Sequence, residues 1–177
     1  MNYNQIIKQY KSYVASSYIS LTPNQIDILP KGKLYVSKKY DGLFCCLILN
    51  PKSSTLLMPN GMQVPENKNI FKEIQNIECD DEIIIAGELY ASNDSSKRER
   101  SSDVRASLSQ EDSQVYFAAF DIVQSSKENL DDYSKKTEYI SKILKGLKYS
   151  HVVEIHEHEA DSIPNVFQSM VIKDHNE

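Results

Sequence analysis

Lys39 is followed by Tyr40, Asp41 and Gly42. A lysine beside a carboxylate, carried on rigid strands, is a workable layout for a nucleophilic amine. A free lysine has a pKa of about 10.4, so roughly one side chain in a thousand carries the attacking lone pair at neutral pH. Desolvation between strands or a nearby metal cation lowers that value and exposes the amine. The plainer reading is a charged hairpin. Leu34 to Lys38 alternates like a half-buried strand, Leu43 to Leu49 is a continuous apolar run, and Asp-Gly is a common hairpin turn. On this pattern Lys39, Tyr40 and Asp41 sit at the lip of a hairpin.

Further residues of useful chemistry lie downstream. Glu88 follows Gly87 near the end of an apolar run, Phe120 precedes Asp121 in another, and Glu177 is the last residue. Carboxylates of this kind are hard oxygen ligands or hydroxyl acceptors, and an aromatic recognises a base face at about 1–3 kcal/mol with little base discrimination. Each has an ordinary alternative as a strand-end acid, a core ring or a chain terminus. The densest basic run is Lys97-Arg98-Glu99-Arg100, followed by Arg105, and these three arginines are the only ones in the chain. As a loop after a strand, Lys97, Arg98 and Arg100 are the candidates for contacting nucleic-acid phosphates. His156 and His158 resemble a metal pair but have no third ligand in view.

The elements that must hold these residues follow from periodicity. Helices are expected over residues 2–15 (Ile6, Ile7, Tyr10, Tyr13 and Val14), briefly from Pro23 to Leu29, over 67–77, 103–108, 131–147, and over 161–174 with Val166, Phe167, Met170 and Val171 buried. Strands are expected over 34–38, 43–49, 55–58, 82–90, 115–123 and 151–156. Residues 91–102 read as a polar loop. There is no regular alternation of strand and helix, so the fold class is α+β with mainly antiparallel sheet.

The 177 residues fit one domain spanning 1–177, with 40% hydrophobic and 25% charged residues. A net charge of −5 argues against a strongly basic nucleic-acid-binding module, although a local patch remains open. No apolar run reaches the ~18 residues of a membrane span, and Met1 to Tyr10 lacks a signal-peptide core. Cys45, Cys46 and Cys79 read as reduced thiols, with the adjacent pair on opposite faces of a strand. An intracellular protein that is not secreted is expected.

Taken in order, these segments resemble the covalent nucleotidyltransferase superfamily of ATP-dependent DNA and RNA ligases and mRNA capping enzymes. Lys39-Tyr40-Asp41-Gly42 is similar to the nucleophile motif, Gly87-Glu88 to the third motif, and Phe117-Ala118-Ala119-Phe120-Asp121-Ile122 to the motif after it. The segment from His151 to Asn176 resembles what leads into the fourth motif, whose glutamate is then Glu177. Glu88, Phe120 and Glu177 lie 49, 81 and 138 residues after Lys39, spacings that suit a compact ligase. The resemblance covers about residue 21 to the end. It implies a ligase-type, ATP-grasp-like core flanked by helices, in which Lys39 takes AMP from ATP as a phosphoramide and passes it to a 5′-phosphate end of DNA or RNA. It also implies that Glu88 holds the ribose hydroxyl, that Phe120 stacks on the purine, and that Asp41 and Glu177 hold Mg²⁺ or Mn²⁺. Ser37, Lys38 and Gly42 then contact the nucleotide, with the choice of ATP over GTP falling to backbone around Ser37 and Lys38.

The sequence also departs from the pattern. DNA ligases and capping enzymes carry an arginine two residues after the motif glycine, where this chain has Phe44, and no arginine precedes Arg98. The glycine and strand after the fourth-motif glutamate, the fifth-motif lysines and an oligonucleotide-binding domain are absent from the sequence. The expectation is therefore an adenylation domain incomplete at its C-terminus, needing a downstream segment or partner for full ligation. A degenerate nucleotide- or nucleic-acid-binding relative, a capping guanylyltransferase and a plain α+β domain remain the alternatives.

Overall fold

The computed structural model describes residues 2–22, 25, 29–91, 100–111, 113–126, 130 and 132–174, with only the backbone for 170–174. The short helix expected from Pro23 and most of the loop 91–102 lie outside the described residues. The strands are β1 (Lys33–Ser37), β2 (Leu43–Asn50), β3 (Ser53–Leu57), β4 (Ile83–Tyr90), β5 (Tyr116–Ser125), β6 (Ser150–Val152) and β7 (Ile155–Glu159). The helices are α1 (Tyr3–Ser17), α2 (Asn69–Ile74), α3 (Ser101–Ser109), α4 (Tyr133–Ile143) and α5 (Ile163–Asp174). Five strands form one sheet in the order β3-β2-β4-β5-β6, antiparallel except for the β5–β6 pair, and β1 pairs with β7 in a second, two-stranded sheet. This is the α+β, mainly antiparallel class that the periodicity predicts.

The pairing corrects the expected hairpin. β1 and β2 are not partners: Ser37 lies opposite Ile155 and Leu43 opposite Leu89, so residues 38–42 cross between two sheets. β2 is buried on both faces, with Cys45 packed into one core cluster and Cys46 into the other. A strand of that kind belongs beside the equally apolar β4 in mid-sheet. β1 keeps alternate residues exposed and so pairs at the periphery. The expected single strand from His151 to His156 is likewise two. The Val153 N–H donates to the Ala119 carbonyl at 2.7 Å, its side chain is buried, and the chain then crosses to the small sheet.

Helices α2, α3 and α4 cover one face of the large sheet, over Leu47, Ile85 and Phe117. On the other face Ile7 of α1 packs with Cys46, Ile48 and Ile84. Burying each such aliphatic contributes about 1.5–3 kcal/mol before entropy is counted. Amphipathic spacing predicts Tyr13 and Phe167 on buried sides, yet they are 72% and 45% exposed. Periodicity chooses which face of a helix is apolar, but only a packed neighbour buries it. No helix among the described residues is long and apolar enough to cross a membrane.

A buried lysine ties the helical layer together. The Lys68 ammonium donates to the Ser107 carbonyl at 2.6 Å, to that of Gln110, and to that of Ser113 at 3.4 Å. It thus satisfies carbonyls where α3 ends, which is the favourable end of a helix for a cation. Lys68→Met is expected to lower the unfolding free energy by about 2–3 kcal/mol. A urea titration with an unchanged midpoint would contradict that role.

Candidate active site

The candidate site is a row of side chains across the large sheet, on the face that carries α1. Phe44 of β2 lies opposite Glu88 of β4, Glu88 opposite Ala118 of β5, and Ala118 opposite His151 of β6. The crossover 38–42 brings Lys39 and Asp41 toward Glu88, whose carboxyl feels both charges and the nearby Gly42 N–H.

Two glycines set this approach by what they leave out. A Cβ at Gly42 would stand 1.9 Å from the Leu89 carbonyl oxygen and 2.9 Å from Glu88 Cγ. Only a residue without a side chain lets the crossover lie this close to β4. Gly42 does not have a left-handed backbone, as a primed Asp-Gly hairpin turn would require. On the opposite face, a Cβ at Gly87 would meet the Phe117 ring at 2.4 Å. The bare strand there lets Phe117 pack flat beneath the site.

Burial raises the Glu88 carboxyl above the usual range, and Asp41 adds to that shift. Lys39 opposes it most, followed by the Gly42 N–H and Lys11. Because the folded-state value is raised, burying this group costs stability once pH exceeds it, and the cost fades as the group protonates. Glu88→Gln is expected to raise the thermal midpoint at neutral pH, by an amount that shrinks as pH falls through the raised value. A midpoint difference independent of pH would contradict that. Such an acid is the kind of group a functional site keeps against its stability interest.

Aromatic rings flank Glu88 on both sides. Toward α1, Phe44 lies with its centroid 6.2 Å from Phe120 and 6.2 Å from Tyr10. Phe120 is aimed by a bulge. Ala86 pairs with Asp121 and Gly87 with Ala119, leaving Phe120 as the extra residue of β5. Asp121 beside it holds the elements together, accepting from the Tyr10 hydroxyl at 2.7 Å and from Lys136 Nζ at 2.8 Å. On the other side Tyr40, Tyr90 and His151 cluster. The Tyr40 and Tyr90 rings are 4.6 Å apart, and the Tyr40 hydroxyl shares a hydrogen bond of 3.1 Å with His151 Nε2. Burial lowers the His151 pKa from its ordinary value.

The residues expected from sequence are thus brought together in part. Lys39, Asp41, Gly42, Glu88 and Phe120 share one face and its edge. Ser37 ends β1 in the small sheet, and the Lys38 ammonium lies 5.4 Å from the Tyr40 ring centroid. Arg100 is exposed where α3 begins, its N–H donating to Asp103 at 3.0 Å. Lys97, Arg98 and Glu177 lie outside the described residues. Among the described residues no three His, Cys, Asp or Glu side chains form a metal cage. Asp41 on the crossover is a hard oxygen donor of the type that holds Mg²⁺ with one or two carboxylates and substrate phosphates. Sequence reasoning missed Tyr10, Lys11, Tyr90 and His151. Only Lys11 left a signal, as a lysine one turn after Ile7 in the apolar stripe of α1.

No family profile and no curated protein sequence matches the chain. Solved structures do. Two structures named Pmar-Lig_Pre and Pmar-Lig_PreS3 superpose at TM-score 0.60 with 15% identity, over 87% and 96% of this chain and 38% and 43% of theirs. The ligase domain of M. tuberculosis LigD gives TM-score 0.55 at 16% identity, over 77% of this chain and 46% of that one. Mycobacterial DNA ligase D complexed with ATP gives 0.52 at 16%, over 77% and 45%. The chain spans less than half the length of each of these proteins. With its two sheets, its flanking helices and these likenesses, the chain has the fold of the nucleotidyltransferase domain of ATP-dependent DNA ligases.

Proposed function

We propose that this chain is the adenylation domain of an ATP-dependent polynucleotide ligase, with Lys39 as its nucleophile. The observation that carries the reading is the meeting of Lys39, Glu88 and Phe120, distant in sequence, on one face of the large sheet. In this reading the purine stacks against Phe120, and Glu88 accepts a hydrogen bond from a ribose hydroxyl. That places the α-phosphate toward Lys39. The neutral Lys39 amine attacks the α-phosphorus, a P–N bond forms, the P–O bond to the β-phosphate breaks, and pyrophosphate leaves. The amine proton goes to solvent. The AMP then passes to the 5′-phosphate of a DNA or RNA end, releasing Lys39. Phosphoryl transfer of this type depends on in-line positioning and charge neutralisation more than on protein acid–base chemistry. A Mg²⁺ or Mn²⁺ ion, when bound, supplies part of that neutralisation, with Asp41 as its ligand here and Glu177 as a second.

ATP is favoured over GTP because one structural neighbour is an ATP complex of a DNA ligase. Ser37 and Lys38, at the start of the crossover, fall where backbone contacts would discriminate the base. Lys97, Arg98 and Arg100 are assigned to the phosphates of the nucleic acid. The three free cysteines suit a reducing, intracellular setting. The test is incubation with α-labelled ATP or GTP and Mg²⁺. Acid-labile label from ATP alone is expected. Label from GTP alone would replace this reading with a capping guanylyltransferase. ATP-dependent thermal stabilisation without covalent label would replace it with a non-catalytic nucleotide-binding module.

A further inference from the structure

Glu88 has cations on two sides, and one of them comes from a helix outside the segments that carry the family resemblance. α1 is firmly docked. Ile7 is fully buried, the Tyr3 hydroxyl donates to Glu82 at 2.5 Å, and the Tyr10 hydroxyl donates to Asp121 at 2.7 Å. Lys11 follows Tyr10, and its ammonium stands 5.6 Å from the centroid of Phe44, the residue directly across from Glu88. A lysine on a helix surface is ordinarily solvated. This one is exposed too, but its ammonium lies over a ring of the site's face.

The charge balance of the site gives that position a consequence. Facing Glu88 are Lys39 and Asp41 from the crossover, the Gly42 N–H from the start of β2, and Lys11 from α1. When Lys39 bonds to phosphorus, its nitrogen becomes a neutral phosphoramide, and the attached phosphate adds negative charge. Glu88 then keeps a single cationic neighbour among these groups. We propose that Lys11 is the second cation of the nucleotide site, balancing the phosphoryl charge once that of Lys39 is consumed. This rests on the reading under Proposed function and adds a residue on an element which that reading does not use.

The test is calorimetric binding of adenosine and of AMP, which reach the site without reacting, to the parent chain, Lys11→Met, Lys11→Arg and Lys52→Met. Lys52 lies exposed in the turn between β2 and β3 and controls for net charge. Lys11→Met is expected to weaken AMP about five- to tenfold, the scale of one charge at close range near a surface, and adenosine much less. Lys11→Arg is expected to retain AMP binding, and Lys52→Met to change neither ligand. Parental AMP affinity in Lys11→Met, or equal loss of AMP and adenosine, would overturn the assignment of Lys11 and leave the broader reading standing. A parent chain that binds neither ligand would overturn both.

Discussion

Gly42→Ala is expected to cost at least about 3 kcal/mol of stability, the upper range for an overpacked site. Its Cβ would stand 1.9 Å from the Leu89 carbonyl oxygen, a backbone atom that no rotamer change can move. Either the end of β4 shifts or the crossover lifts away from it. If the crossover lifts, the Gly42 N–H leaves Glu88 and Lys39 moves with it, so nucleotide labelling is lost even where the protein still folds. Chemical denaturation and α-label incorporation measured on the same preparation check both parts. A soluble Gly42→Ala protein with parental stability and labelling would show that the close approach does not matter.

Lys39→Ala is expected to do the reverse, removing function while sparing the fold. The Lys39 side chain is exposed, so its loss should change stability by no more than about 0.5 kcal/mol. Covalent label should fall to background, because no other described amine is placed by a glycine-tight crossover against Glu88. The substitution also removes the largest influence holding the Glu88 carboxyl down. Nucleotide binding that survives in Lys39→Ala should therefore weaken at a higher pH than in the parent. Persistent label at the parental level would mean that another residue is the nucleophile.

The strands and helices were legible largely because their apolar spacing was clear, and β4, with Ile83, Ile84 and Ile85, could hardly be anything but a central strand. Pairing was not legible. Asp41-Gly42 looks like a hairpin turn because turn chemistry is local, whereas the partner of β1 is chosen by burial and lies in β7, far along the chain. The glycine proved necessary for a different reason, the space beside Leu89 and not a left-handed backbone. Likewise Val153 and Glu154 gave no sign of ending one strand and beginning another in a different sheet.

Within the site, Lys39, Glu88 and Phe120 were legible through short motifs in a characteristic order. Tyr10, Lys11, Tyr90 and His151 were not, because each reaches the site from an element whose placement is a tertiary matter. The bulge that makes Phe120 an extra residue of β5 depends on registers in β4 that no local pattern records. Phe44 reads in sequence as a missing arginine. In the fold it is the ring over which Lys11 stands, so positive charge reaches this part of the site from α1.

Peptide mapping by mass spectrometry after incubation with ATP and Mg²⁺ tests the role of Lys39 most directly. A mass increment of one AMP is expected on the peptide containing Lys39, removed by acid and absent from Lys39→Ala. AMP attached at another residue, or no nucleotide on Lys39, would contradict that role.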